Sequence, residues 1–138
     1  MTLQFKIPRQ LPSANTIVGK HHFRLYKETN DWKQITRECV ISQVPTATIA
    51  YFRNLLGEDV KYRIVITAYL FRLYDEDNLW VKAIVDALKG YIITDDRPQL
   101  CTIERYQEQI KRATKADIRK GIVGPKPHVI VSVEVIEP

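Results

Sequence analysis

KYRIVITAYLFRLYDEDNLWVKAIVDALKG, residues Lys61–Gly90, changes its hydrophobic period halfway along, and the fold turns on that change. In its first half Ile64, Ile66, Ala68 and Leu70 share one face and Arg63, Thr67 and Tyr69 the other. That is the period of a strand with one side buried. A strand is expected over Lys61–Phe71, with extended backbone carried on into Asp75-Glu76-Asp77-Asn78. From Asn78 the period becomes helical. Trp80, Ala83, Ile84, Ala87 and Leu88 form an apolar stripe, and Lys82, Asp86 and Lys89 a polar one. Gly90 stands where helices end in a left-handed residue.

Outward from this unit, Thr2–Ile7 reads as a strand stopped by Pro8, and Arg9–His22 as a loop. A long helix is expected from about Phe23 to Ser42, on the recurrence of Leu25, Trp32, Ile35 and Cys39. Pro45 breaks it, and Thr46–Leu56 reads as a shorter helix closed by Gly57. Tyr91–Thr94 is a strand-like stub that ends in the turn signal Asp95-Asp96-Arg97-Pro98. Strands are expected over Cys101–Lys111 and His128–Ile136, separated by a basic loop, Arg112–Lys126. No internal repeat or linker divides the chain. The expected fold is α+β: one domain over residues 1–138, with a mixed sheet of four to five strands and two main helices.

Composition narrows the function. The chain has 138 residues, 45% hydrophobic and 27% charged, a globular balance. No apolar run approaches the roughly 18 to 20 residues of a membrane span, and Met1–Pro8 has no signal-peptide core. A cytosolic protein that makes no membrane contact is expected. Cys39 and Cys101 form no CxxC and have no histidine at ligand spacing, so both read as buried thiols. The three histidines show no pairing with Ser or Cys that would suggest a nucleophilic triad. Net charge is +5, unevenly spread: residues 1–53 carry +5, residues 54–108 carry −3 and residues 109–138 carry +3. Basic flanks around an acidic middle suit a protein that binds a polyanion and also holds a cation.

Two acidic clusters are candidates for that cation. On extended backbone Asp75 and Asp77 point the same way, with Cα atoms about 6 to 7 Å apart. Two carboxylates about 4 Å apart repel by up to ~4 kcal/mol at an effective dielectric near 20, so such a pair takes water or a cation. The competing reading is a helix cap, worth about 0.3 to 2 kcal/mol. Asp95-Asp96 is the second cluster, with a turn as its competing reading. Lys82 either reaches a phosphate near the metal or pairs with Asp86 at i+4. Arg9, Lys20, His21, His22, Arg24, Lys27, Lys111, Arg112, Lys115, Arg119 and Lys120 are candidates for phosphate contact.

Taken together, Asp75-x-Asp77-Asn78-Leu79, Lys82, Asp86-Ala87-Leu88 and Asp95-Asp96 resemble the core signature of the RusA-type crossover junction endodeoxyribonucleases. Leu11-Pro12-Ser13-x-Asn15 resembles that family's loop after its first strand. The resemblance implies metal ligands at Asp75, Asp77 and Asp96, with Asp95 assisting, and an essential lysine at Lys82. Arg9, Asn15, Lys20, Arg72, Lys115, Arg119 and Lys120 are the expected DNA contacts. The resemblance further implies a homodimer that cuts four-way DNA junctions with Mg²⁺, or Mn²⁺ in its place, without an organic cofactor, and an origin in a prophage or its bacterial host. One departure stands out: the family's spacing from the second Asp to the Lys is one residue shorter. On an ideal helix an added residue turns Lys82 by about 100°. Either the helix starts later, or a bulge absorbs the residue, or another lysine acts. The main alternative is a non-catalytic DNA-binding protein, in which the acids are caps and the basic flanks bind.

Overall fold

Alternation draws the sheet. In the computed structural model, which describes residues 1–19, 21–75 and 78–136, strand β1 (Thr2–Ile7) buries Leu3, Phe5 and Ile7. Strand β2 (Lys61–Leu70) buries Tyr62, Ile64, Ile66, Ala68 and Leu70, and the last strand (His128–Ile136) buries Val129, Val131 and Val133. Between them lies a strand over Cys101–Gln109. In chain order the last two are β3 (Cys101–Gln109) and β4 (His128–Ile136), and the sheet order is β1-β4-β2-β3. β4 pairs antiparallel with both β1 and β2, and β3 lies parallel to β2 with Cys101 beside Tyr62.

The helices are α1 (Ala14–Val18), α2 (His22–Gln43), α3 (Thr46–Asn54), α4 (Lys82–Leu88) and α5 (Lys115–Arg119). α2 sends Trp32, Thr36, Cys39 and Val40 inward at i, i+4, i+7 and i+8. It packs against α4 and β1. α4 is apolar on most sides and buries Ala83, Ile84, Val85, Ala87 and Leu88. Gly90 follows it with φ +73°, the left-handed residue expected there. At the sheet margin the Gln43 amide bonds both backbone groups of Lys6, at 2.7 and 2.6 Å. That occupies an edge otherwise open to another strand. No helix among the described residues is long and apolar enough to cross a membrane.

The architecture is the expected α+β fold, with four strands among the described residues. Several local expectations are corrected. The shorter helix expected over Thr46–Leu56 is present as Thr46–Asn54, ending two residues earlier and burying Phe52. The expected loops contain α1 and α5, the latter started by a capping box between Thr114 and Asp117. Tyr91–Thr94 forms no strand. It is a turn that buries Ile92 and Ile93 completely, which accounts for its apolar character.

Two corrections bear on the acidic segment. β2 ends at Leu70, and the chain bends at Phe71–Arg72, so extended backbone does not carry through to Asp75. α4 begins at Lys82 and not at Asn78, with Val81 as its N-cap residue. Trp80 and Val81 therefore precede the helix. A residue added between Asn78 and Lys82 precedes the helix and leaves the helical phase of Lys82 relative to Asp86 unchanged.

Candidate active site

After Phe71 the chain turns back across β3. Residues two apart on a strand share a face, so Ile103, Arg105 and Gln107 line one side of β3 at about 7 Å spacing. The Gln107 amide holds the returning chain like a short piece of partner strand. Its Oε1 accepts from the Tyr74 N–H at 3.0 Å, and its Nε2 donates to the Tyr74 carbonyl at 2.8 Å. The Tyr74 hydroxyl donates to the Leu11 carbonyl at 2.8 Å and accepts from the Gln10 amide at 3.0 Å.

Further on, Ser13 and Leu79 form an antiparallel bridge. The Ala14 N–H donates to the Asn78 carbonyl at 2.7 Å, and the Trp80 N–H to the Pro12 carbonyl at 3.2 Å. The Asn78 side chain accepts from the Asn15 N–H at 3.2 Å. The two stretches quoted separately from the sequence, Leu11–Asn15 and Asn78-Leu79, are thus stitched together.

Replacing Gln107 by Leu removes both bonds to Tyr74. At about 0.5 to 1.5 kcal/mol net per hydrogen bond, the loss is about 1 to 3 kcal/mol. Urea unfolding of the Gln107→Leu variant is expected to show it, and an unchanged midpoint would mean that Gln107 does not hold the loop.

Beside this loop lies a cleft of about 380 Å³, bordered by Lys82 and Asp86 of α4, by Asp96, and by Ile103 and Arg105 of β3. Ala14 and Leu79–Val81 close the remaining side. Parallel pairing explains why Asp96 arrives here. The chain leaves α4, turns at 91–100 and re-enters the sheet as β3, whose first residues run under the start of α4.

The electrostatics centre on Asp96. Lys89 pairs with it at 3.1 Å and with Asp86 at 3.8 Å. The hydrogen bond from Lys89 holds the Asp96 carboxyl below the usual carboxylate range, against a smaller opposing effect of burial. The same bond raises the Lys89 ammonium. Asp95 accepts from the Asp96 N–H and pairs with Arg97, both at 2.8 Å, so its carboxylate is engaged in the turn. Lys82 is exposed and forms no ion pair among the described residues; its expected partner Asp86 pairs with Lys89 instead. Cys101, nearby and buried, has its thiol pushed up to about 11 by desolvation and then by the Asp96 charge, so at neutral pH it is protonated and a poor nucleophile.

Of the residues singled out from sequence, Lys82 and Asp96 share one cleft. Asp75 does not line it. It is exposed, and its carbonyl accepts from the Asn78 N–H at 2.9 Å, next to the Gln107 clamp. Asp77 and Lys20 lie outside the described residues. Among the described residues no group of three or more His, Cys, Asp or Glu is placed to hold a metal ion. Arg9 lies over the Trp32 ring at 5.3 Å, and Asn15 lies in α1 against Asn78. Arg72, Lys115, Arg119 and Lys120 are exposed, away from the cleft lining.

Sequence reasoning missed Arg105, although a signal existed. On β3 it is exposed but shares a face with half-buried Ile103 and Gln107, and it forms no ion pair among the described residues. No protein-family model matches the chain, and no curated protein matches it.

Proposed function

We propose that the chain is a Mg²⁺-dependent endodeoxyribonuclease that makes paired cuts in four-way DNA junctions as a homodimer, in the manner of the RusA-type resolvases it resembles. The observation that carries this reading is the meeting of Asp96 and Lys82 in one cleft beside the acidic loop. Asp96 and Asp86 offer only oxygen donors, the set that suits Mg²⁺; the resemblance adds Asp77, which lies outside the described residues, and Asp75, which does not line the cleft. When bound, the metal supplies a water of lowered pKa and neutralises charge on the phosphate.

The other roles belong to this chain's own side chains. Lys82 and Arg105 put two cations in the cleft, and a guanidinium can grip a phosphodiester through two parallel hydrogen bonds. Lys89 must release Asp96 to a metal. A partly exposed pair of this kind is worth about 0 to 1 kcal/mol, little beside a divalent ion's attraction for two carboxylates. Two symmetry-related sites suit two symmetry-related strands at a junction. Manganese, which takes the same donors, is expected to substitute.

A second reading, a DNA-binding protein without catalysis, draws support from the same Lys89–Asp96 pair, which already neutralises that carboxylate. One experiment separates them. The purified protein is incubated with an end-labelled synthetic four-way junction, with Mg²⁺ or with EDTA. Symmetric nicks that need the metal are expected. Binding to the junction in EDTA is expected to weaken about 10³-fold between 50 and 200 mM salt if about six phosphates are contacted. Retained binding with no nicks under any divalent ion would favour the second reading; salt-independent binding would remove both.

A further inference from the structure

Between β3 and β4, residues 110–127 form a loop that keeps its large aliphatic side chains out of the core. Ile118, Ile122 and Val123 are 65%, 51% and 83% exposed. The loop is nonetheless firmly built. Thr114 and Asp117 start α5 with reciprocal bonds, Gly121 ends it at φ +76°, and the Ile122 N–H donates to the Asp117 carbonyl at 2.9 Å. Past that turn, Gly124 lies so near Ala113 that a Cβ added to it would stand 2.8 Å from the Ala113 backbone nitrogen. The three aliphatic side chains border a groove of about 550 Å³, which Phe71 and Pro125 also line. Contiguous apolar surface left in the open ordinarily marks a contact with another molecule.

The charge in this groove has one sign. Arg112 and Lys126 line it, and no acidic residue does. Across the ridge of Val123–Lys126 a second groove, of about 300 Å³, continues the surface; its lining holds Lys6 and Lys126, again without an acid. Residues 110–127 carry six Lys or Arg and a single acid, Asp117, whose carboxylate accepts from the Thr114 N–H at 3.0 Å. Lys6, Arg112 and Lys126 form no ion pair among the described residues. The Arg112 guanidinium lies over the Phe71 ring at 4.2 Å, so it covers the aromatic face of the lining and keeps its N–H donors for a ligand.

These features select among occupants. A second copy of the chain, set isologously, would bring Lys6, Arg112 and Lys126 against their own symmetry mates. Single-stranded nucleic acid would satisfy the cations, but it stacks its bases on open aromatic faces. Here the ring lies under Arg112 and the exposed side chains are aliphatic. A peptide that alternates carboxylates with apolar side chains supplies both halves: apolar area for Ile118, Ile122 and Val123, and charge-assisted hydrogen bonds for the cations. We infer that the groove bordered by Arg112, Ile118, Val123 and Lys126 docks a short acidic and apolar segment of a partner protein. It shares no lining residue with the cleft of Asp96 and Lys82, so a docked partner leaves that cleft open.

The test needs neither a junction nor a metal. A fluorescein-labelled peptide of alternating Asp and Leu is titrated with the protein in EDTA and followed by anisotropy, beside one control peptide with Ser for Leu and another with Lys for Asp. The Asp-Leu peptide is expected to bind at least about tenfold more tightly than either control. Ile118→Ser, Val123→Ser and Arg112→Gln, each first checked by circular dichroism, are expected to weaken it about 3- to 10-fold. Lys61→Gln removes an exposed cation at the opposite end of β2 from Phe71 and should leave the affinity unchanged. Absence of binding, equal binding of the Ser control, or an equal loss in Lys61→Gln overturns the proposal. So does wild-type affinity in both serine variants. If those variants keep the peptide but lose duplex DNA binding, or lose self-association in sedimentation, the groove belongs to DNA or to a second copy and the docking proposal falls.

Discussion

Replacing Asp96 by Asn is expected to give a protein that still folds and still binds a four-way junction within about twofold of wild type. On the proposed function, its Mg²⁺-dependent cleavage is expected to be slower by about 10³-fold or more, equivalent to about 4 kcal/mol of transition-state stabilisation. The change preserves shape and removes one charge, so it tests the carboxylate rather than the fold. Asp96 is part-buried in the cleft with Lys82 and Arg105, and its folded-state carboxyl titrates below the usual range, so wild type is ionised throughout the neutral region. Asp95→Asn is the internal control. That carboxylate is held in the turn by Arg97 and the Asp96 N–H, and its substitution should cost much less activity. Single-turnover cleavage of labelled junctions measures both. Wild-type cleavage by Asp96→Asn would remove the cleft from the chemistry.

The second large effect is on stability. Trp32 is 1% exposed, the first residue of α2 to enter the core, with the Arg9 guanidinium above its ring at 5.3 Å. Truncation to Ala leaves a cavity the size of an indole and should cost about 3 to 5 kcal/mol. Domains of this kind hold about 5 to 15 kcal/mol in all, so the variant is expected to melt roughly 10 to 20 °C lower or to fail to accumulate. Phe23→Ala removes an aromatic ring from the same helix, yet it should change stability by no more than about 0.5 kcal/mol, because that ring is in water. Calorimetry of the pair distinguishes the two halves of α2. Equal losses would mean that the start of α2 is packed after all.

The sheet was legible from sequence wherever a strand has one wet side and one dry side. Ile64, Ile66, Ala68 and Leu70 announce β2, and Val129, Val131 and Val133 announce β4, because burial itself has period two. The segment from Phe71 to Val81 was not legible in the same way. What bends it is the Gln107 amide, 33 residues from Tyr74, and the Leu11 carbonyl, 63 residues from the Tyr74 hydroxyl. Local pattern does not register partners at such separations. Trp80 misled for a related reason. It keeps i+4 spacing with Ile84 and Leu88, so the apolar stripe runs one turn beyond the helix that made it.

At the candidate site, Lys82 and Asp96 were legible through the family resemblance, and the cleft joins them. Asp86 stands in the signature and as an alternative partner for Lys82 but was given no role in the site, and Arg105 was missed, because each looks like an ordinary surface charge until the crossover sets α4 over β3. The exposed Ile118, Ile122 and Val123 were missed for the opposite reason: aliphatic residues are ordinarily counted with the core.

Sheet order also bears on how the chain is made. β4 separates β1 from β2, yet it is synthesised after both of them and after β3. Until His128–Ile136 has emerged, Leu3, Phe5 and Ile7 belong to a strand without a neighbour in the sheet, and β2 has only β3 beside it. Assembly therefore waits on the most distant pairing in the sequence, which slows folding and prolongs exposure to chaperones and proteases. Translation that stops short of residue 128 leaves the cell an adhesive, unclosed sheet.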